Sequence, residues 1–166
     1  PVKATTPDAA GRFVLYPVPA GDYDLVVRAA GRATAVLTGV PVSSSTPTTI
    51  NAAGQPINPP ASGMRAVSGS VTPASATVRA LQGLANGAAI EVAWAEVDAV
   101  SGTFGFSLPV GAPVRGAYAA NGQAPLFTPD TAAAANYTLE AAANGALQTR
   151  TINVGTNVPA ITFTFP

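Results

Sequence analysis

The sequence contains no histidine and no cysteine among its 166 residues. Histidine is the usual general base near neutral pH and the commonest metal ligand, and Ser-His-Asp and Cys-His catalysis both require it. Without cysteine the chain has no disulfide or thiolate chemistry, and its redox compartment is undetermined. These two absences argue against an enzyme. We therefore predict no catalytic residue, no cofactor and no metal site.

Charge is also scarce. Only 10% of the residues are charged, with eight basic and eight acidic side chains and a net charge of zero, whereas an ordinary soluble domain has about 25%. This balance creates no field that would gather nucleic acid or acidic substrates. The sequence also lacks an apolar run of about 18 residues, so we predict no membrane span. Surfaces with so little charge associate with one another more readily.

Two unequal copies of one pattern occupy the chain. The first runs from Asp8 to Gly31 and the second from Asp98 to Gly145, and each contains a Gly-x-Phe element followed by a Tyr-x-Leu element. Ten residues precede the Gly-x-Phe element in the first copy, whereas about 35 precede it in the second, starting at Val67. We interpret the first copy as a domain that lacks its opening strands.

Apolar residues alternate with polar ones in short segments that Gly, Pro and Asn turns separate, and this pattern is typical of β-strands. We predict an all-β fold of two tandem antiparallel β-sandwiches, the first without its opening strands. The expected boundaries are 1–51 for the first domain, 52–66 for a proline-rich linker, and 67–166 for the second domain with an insertion at 113–136. The expected core residues are Phe13, Leu15, Tyr23, Leu25, Trp94, Phe104, Phe106, Tyr137, Leu139 and Phe163.

The first copy carries a resemblance to a known family. From Thr6 to Gly31 it reads Thr-x-Asp-x-x-Gly-Arg-Phe-x-Leu-x-x-Val-Pro-Ala-Gly-x-Tyr-x-Leu-x-Val-x-Ala-x-Gly. This pattern resembles the carboxypeptidase regulatory-like domain, as found in C-terminal parts of bacterial surface proteins of unassigned function. The resemblance implies a transthyretin-like or Ig-like sandwich and an extracellular or cell-surface location. It implies no catalytic residue, because that module is an accessory domain.

Acidic residues give no paired-carboxylate site. Glu91 and Glu96 are expected on opposite faces of one strand, so they would not act together. Asp8 and Asp98 occupy equivalent places in the two copies, shortly before the glycine. We predict that each caps a turn by accepting hydrogen bonds from backbone amides.

Aromatic residues suggest an alternative function. Tyr16 and Tyr118 lie next to turns, where an exposed ring could stack on a sugar, and they are our candidates for ligand stacking. Trp94 alternates with Val92 and Ile90, so we place it in the core. On this alternative the chain is a carbohydrate-binding accessory domain of a larger secreted protein, with surface glycans as partners.

Missing strands suggest the main hypothesis, since a sandwich without them has unpaired N–H and C=O groups at an open cleft. A strand from another copy can fill such a cleft and give head-to-tail contacts. Candidate strands contain Val2, or Ile161, Phe163 and Phe165; alternatively the missing strands precede Pro1 in the same protein. We therefore predict a non-enzymatic extracellular structural or adhesive module, such as a self-assembling filament or surface-layer subunit.

Overall fold

A computed structural model describes residues 3–50, 57–131 and 135–166. Within these ranges the chain is all-β, with eleven strands, no α-helix, and two sheets in a sandwich-like arrangement. The strands are β1 (Gly21–Val27), β2 (Ala35–Val42), β3 (Met64–Thr72), β4 (Thr77–Gly83), β5 (Ala89–Val97), β6 (Thr103–Pro109), β7 (Val114–Ala117), β8 (Thr128–Pro129), β9 (Asn136–Ala143), β10 (Ala146–Asn153) and β11 (Ile161–Thr164).

The smaller sheet has four strands in the order β1-β2-β7-β8. β1 and β2 form an antiparallel hairpin, whereas β2 pairs with β7 in parallel, from Ala35 opposite Val114 to Thr38 opposite Ala117. β7 and β8 come from the predicted insertion 113–136. That segment therefore supplies two strands to the sheet that the first hairpin begins.

Residues 13–18 and 48–50 belong to no strand, although the aromatic and β-branched side chains among them favour extended structure. Pro17 and Pro19 lie in and after the first segment, and proline has no N–H to donate to a ladder beside β1. In the second segment the Thr48 hydroxyl donates to the carbonyl of Pro41, so this stretch folds back on the end of β2. Both segments contain residues that favour strands, but neither has a partner strand in the described structure.

The described part of the predicted linker 52–66 is bound to the loop between β1 and β2. The amide of Ala33 donates to the carbonyl of Pro60 at 3.0 Å, and the amide of Ser62 donates to the carbonyl of Gly31 at 2.9 Å. β3 begins inside the same range. These bonds hold the segment that leads into the larger sheet against the start of β2.

The larger sheet has seven strands in the order β10-β9-β4-β5-β6-β3-β11. β5 joins two parts of this sheet, β10-β9-β4 on one side and β6-β3-β11 on the other. Its residues Ala89 to Ala95 pair with β4, whereas only Glu96 and Val97 pair with β6. β11 is parallel to β3. Side chains from both halves form one buried cluster, so the sheet bends around a single core.

This core confirms part of the predicted set. Phe104, Tyr137, Leu139 and Phe163 are all at most 4% exposed. The Phe104 ring centroid lies 6.3 Å from that of Phe163 on β11. Gly69 permits this close packing, since a Cβ there would lie 2.6 Å from the Phe104 ring and 2.1 Å from a backbone oxygen of β11. The other predicted core residues, apart from Trp94, are half-buried, namely Phe13, Leu15, Tyr23, Leu25 and Phe106.

The core prediction is wrong for Trp94, which is 52% exposed. The reason is a β-bulge. Ala80 of β4 faces Ala93, but the next residue, Leu81, faces Glu91, so Val92 is an extra residue on β5. A bulge of one residue reverses the inward and outward alternation beyond it. Val92 therefore stays buried at 7% exposure while Trp94 points outward.

Candidate functional site

An unpaired strand edge borders the smaller sheet. β1 is its terminal strand, and it pairs only with β2. Across the described ranges, no backbone hydrogen bond reaches the other edge of β1. An edge of this kind offers a row of free N–H and C=O groups to an added strand. Tyr23, Leu25, Val26 and Val27 are each only half-buried, so the same strand also offers apolar side chains.

A second unpaired segment with the composition of a strand precedes β1. Residues 12–16 read Arg-Phe-Val-Leu-Tyr, and aromatic and β-branched residues such as these favour extended pairing. The segment nevertheless belongs to no ladder. Val14 is 78% exposed and Tyr16 is 80% exposed, so one side of the segment presents large apolar side chains to solvent. Alternation alone does not distinguish a paired strand from an unpaired extended segment, so it could not identify this exposure.

Of the two strands predicted for assembly, the structure describes only the C-terminal one in full. Val2 lies outside the described residues. Ile161, Phe163 and Phe165 are 7%, 0% and 5% exposed in the core of their own chain, where β11 pairs with β3. Their role in assembly stays a prediction, but donating this strand would require its removal from that core.

The two candidate stacking residues also differ. Tyr16 is exposed and available to a partner. Tyr118 is half-buried, and its hydroxyl donates to the carbonyl of Thr49 at 3.5 Å. The structure does not bring the two rings together in any described contact. The Tyr118 hydroxyl therefore contacts the segment that follows β2, whereas the Tyr16 side chain is exposed.

The outward face of β10-β9-β4-β5 carries a row of side chains that we call the Trp94 row. It consists of Thr149, Glu140, Arg79 and Trp94, each directly opposite the next across neighbouring antiparallel strands. Directly opposite residues project from the same face of a sheet, with Cβ atoms about 4.5–5.5 Å apart. The row thus joins a hydroxyl, a carboxylate, a guanidinium and an indole on one surface.

Arg79 forms ion pairs with two glutamates at the centre of this row. The Arg79 Nε donates to Glu140 Oε2 at 2.7 Å, and its Nη1 lies 3.4 Å from Glu91 Oε2. The hydrogen bond to Glu140 raises the pKa of Arg79 above its ordinary value. The contact also shows that Glu91 lies on the Trp94 face. The prediction that Glu91 and Glu96 lie on opposite faces is therefore wrong, because the bulge at Val92 separates them.

A shallow cleft lies beside the small sheet, lined by Ala85, Arg115, Asp130 and neighbouring threonines. Asp130 is 7% exposed, and its Oδ2 accepts a hydrogen bond of 2.9 Å from the Ala85 amide. Its own amide donates to the Pro113 carbonyl at 2.7 Å. Asp130 thus connects the end of β8 to the loop between β4 and β5. The sequence gives no signal of this burial, because Asp130 and Thr131 are an isolated polar pair in a predicted loop.

Both predicted turn caps are confirmed. Asp8 Oδ1 accepts from the amides of Ala10 and Arg12 at 2.9 and 2.8 Å. Asp98 Oδ1 accepts from the amides of Val100 and Ser101 at 3.0 and 2.7 Å. These bonds lower the pKa of Asp98, with the Ser101 amide as the largest contribution. Both carboxylates are thus occupied by local backbone.

Within the described ranges no three metal-ligating side chains come together. The same part of the chain contains no helix long and apolar enough to cross a membrane. In comparisons with known proteins, no family model, no curated protein and no solved structure matches this chain.

Proposed function

We propose that this chain is a non-enzymatic structural or adhesive module that associates with copies of itself by strand addition. One observation carries this proposal: an unpaired strand edge and an unpaired strand-like segment lie next to each other in the sequence but do not pair. The edge belongs to β1, and the segment is Arg12–Tyr16. In a second copy the same two elements are available to pair with those of the first.

The partner we propose for the β1 edge is segment Arg12–Tyr16 of another copy. Its alternation of exposed and half-buried side chains suits a strand whose one face meets an existing sheet. Pairing would satisfy backbone groups on both elements and would cover Val14 or Tyr16 together with the apolar residues of β1. The contact is head-to-tail, so repetition gives a ring if the rotation between copies closes and an open polymer if it does not.

Low charge supports the same proposal. With a net charge of zero, copies of the chain do not repel one another through a net electrostatic field. On the resemblance of Thr6–Gly31 to the carboxypeptidase regulatory-like domain, we place the module outside the cell or at its surface. The tandem arrangement of two transthyretin-like or Ig-like sandwiches, with the first completed by an added strand, belongs to this proposal as well.

Sedimentation velocity over a concentration series tests the proposal. We expect the chain to show larger species as its concentration rises, and V14K to weaken this association by at least tenfold, because a charged side chain blocks strand addition. V100K is the matched control, since Val100 is 95% exposed in a turn remote in sequence from β1. A chain that stays monomeric at high concentration, or equal effects of both variants, would contradict the proposal.

Cross-linking identifies the elements that meet. Because the chain has no cysteine, V14C and D24C can be prepared as two single-cysteine proteins and mixed under mild oxidation. Val14 lies in the proposed donor segment and Asp24 lies on β1. We expect the mixed disulfide dimer to dominate over that formed by V14C and V100C, which is the matched pair.

A further inference from the structure

We propose that the Trp94 row is a binding face for a neutral oligosaccharide. The site is separate from the β1 edge, so this inference does not depend on the proposed self-association. It rests on three properties of the face: an exposed indole, carboxylate oxygens that make no hydrogen bond with a described residue, and a span of four strands.

The indole is the first property. Trp94 is the only tryptophan in the chain, and it is 52% exposed on a strand rather than in a loop. Exposing an indole to water forgoes the burial that normally favours this side chain, since aromatic residues bury 150–250 Å² each. The β-bulge at Val92 places the ring outside. A sheet also holds the ring in a fixed position, which suits stacking against the apolar face of a sugar ring.

Hydrogen-bond acceptors are the second property. Both bonds from Arg79 to the carboxylates use Oε2, of Glu140 and of Glu91. The Oε1 atoms make no hydrogen bond with any described residue and can accept from hydroxyl groups. Their side chains are only 15% and 13% exposed and are held by Arg79. The acceptors are therefore positioned before a ligand arrives, which reduces the entropy lost on binding.

The span is the third property. The row crosses from β5 to β10, which is three strand spacings or about 14 Å. Beyond Glu140 it ends in hydroxyls, with Thr149 in the row and Thr151 opposite Thr138 beside it. This length fits several linked sugar units better than one. A flat face with an aromatic ring at one end and hydroxyls at the other matches an extended chain.

The net charge of this face determines which class of ligand can bind to it. The guanidinium of Arg79 and the carboxylates of Glu140, Glu91 and Glu96 leave the face with an excess of two negative charges. Such a face repels phosphate, sulfate and uronate groups. It also lacks the cluster of basic side chains that nucleic acid requires. A neutral polyhydroxyl ligand can donate to the free carboxylate oxygens and stack on the indole, so a neutral oligosaccharide is the occupant that we infer.

Fluorescence of the single tryptophan provides a direct test. The full chain is titrated with cellohexaose, xylohexaose, mannohexaose and chitohexaose, and with an oligogalacturonate as the anionic comparison. We expect at least one neutral hexamer to change the intensity and wavelength of Trp94 emission in a saturable way. Calorimetry then gives the affinity, and W94A should weaken it at least tenfold, whereas W94Y should retain part of it.

Control variants distinguish sugar binding at the Trp94 row from sugar binding elsewhere on the chain. Y16A removes another exposed aromatic ring and should leave the affinity for the sugar unchanged, while circular dichroism verifies the fold of each variant. Sedimentation of W94A at matched concentration tests whether the face binds a second copy instead. The proposal is overturned if no neutral hexamer binds, if Y16A weakens binding as much as W94A, or if W94A abolishes self-association without affecting sugar binding.

Discussion

The side-chain amide of Gln148 donates a hydrogen bond of 2.6 Å to the backbone carbonyl of Thr164. These residues lie on β10 and β11, the two terminal strands of the seven-stranded sheet. A second side-chain bond also reaches the β10 side of the sheet, from Arg65 Nε on β3 to the carbonyl of Val154, just after β10, at 3.3 Å. Side chains thus connect the two sides of a sheet whose terminal strands, β10 and β11, do not pair through their backbones. They also cover part of the two exposed strand edges.

Removing the Gln148 side chain should loosen this closure. We expect Q148A to lower the free energy of unfolding by about 0.5–1.5 kcal/mol, the usual net contribution of one hydrogen bond. Urea denaturation followed by circular dichroism measures the change. Q123A is the matched control, because Gln123 is exposed and only its backbone amide is bonded. Equal stabilities of the two variants would show that the bond does not hold the strands together.

Phe104 and Phe13 occupy equivalent places in the two copies, but the structure predicts different costs for their removal. Phe104 is 4% exposed and lies between Phe106 and Phe163, with ring centroids 6.0 and 6.3 Å away. We expect F104A to lower the free energy of unfolding by about 3–5 kcal/mol. F13A should cost clearly less, since that ring is half-buried and belongs to no strand. Parallel urea titrations compare them, and a larger loss for F13A would contradict this packing.

The turn at Asp98 should make stability depend on pH in the acid range. Hydrogen bonds from Ser101 and Val100 lower the pKa of Asp98 in the folded chain. The contribution of the Asp98 carboxylate to the free energy of unfolding is therefore fully present above the unfolded pKa of about 3.9. It is lost as the pH falls through the lower pKa of the folded chain. Asn at this position does not titrate, so D98N should lack this acid-dependent loss.

Urea midpoints measured from pH 7 to pH 2.5 would show this difference between the wild type and D98N. D22N serves as the control because Asp22 is an exposed carboxylate with no described side-chain hydrogen bond. An acid profile of D98N that coincides with that of the wild type would mean that the Asp98 turn contributes nothing to pH dependence.

Local pattern was enough to predict the all-β fold and the turn roles of Asp8 and Asp98, because alternation and turn chemistry act over a few residues. Two features were not predictable in this way. The parallel pairing of β2 with β7 joins segments far apart in sequence, and no local pattern specifies such a partner. The outward position of Trp94 depends on one extra residue in β5, and its alternation with Val92 looks regular in the sequence.

The parallel pairing of β2 with β7 also has a consequence for the order of events on the ribosome. Thr38 Oγ1 donates to the carbonyl of Gly116, 78 positions later in the chain. At translation rates of about 5–20 residues per second, β2 waits about 4–16 s for this partner. During that interval the β1–β2 hairpin has two open edges, and an isolated hairpin is only marginally stable. Nascent chains on one polysome would therefore expose complementary edges to each other before any of them can close its smaller sheet.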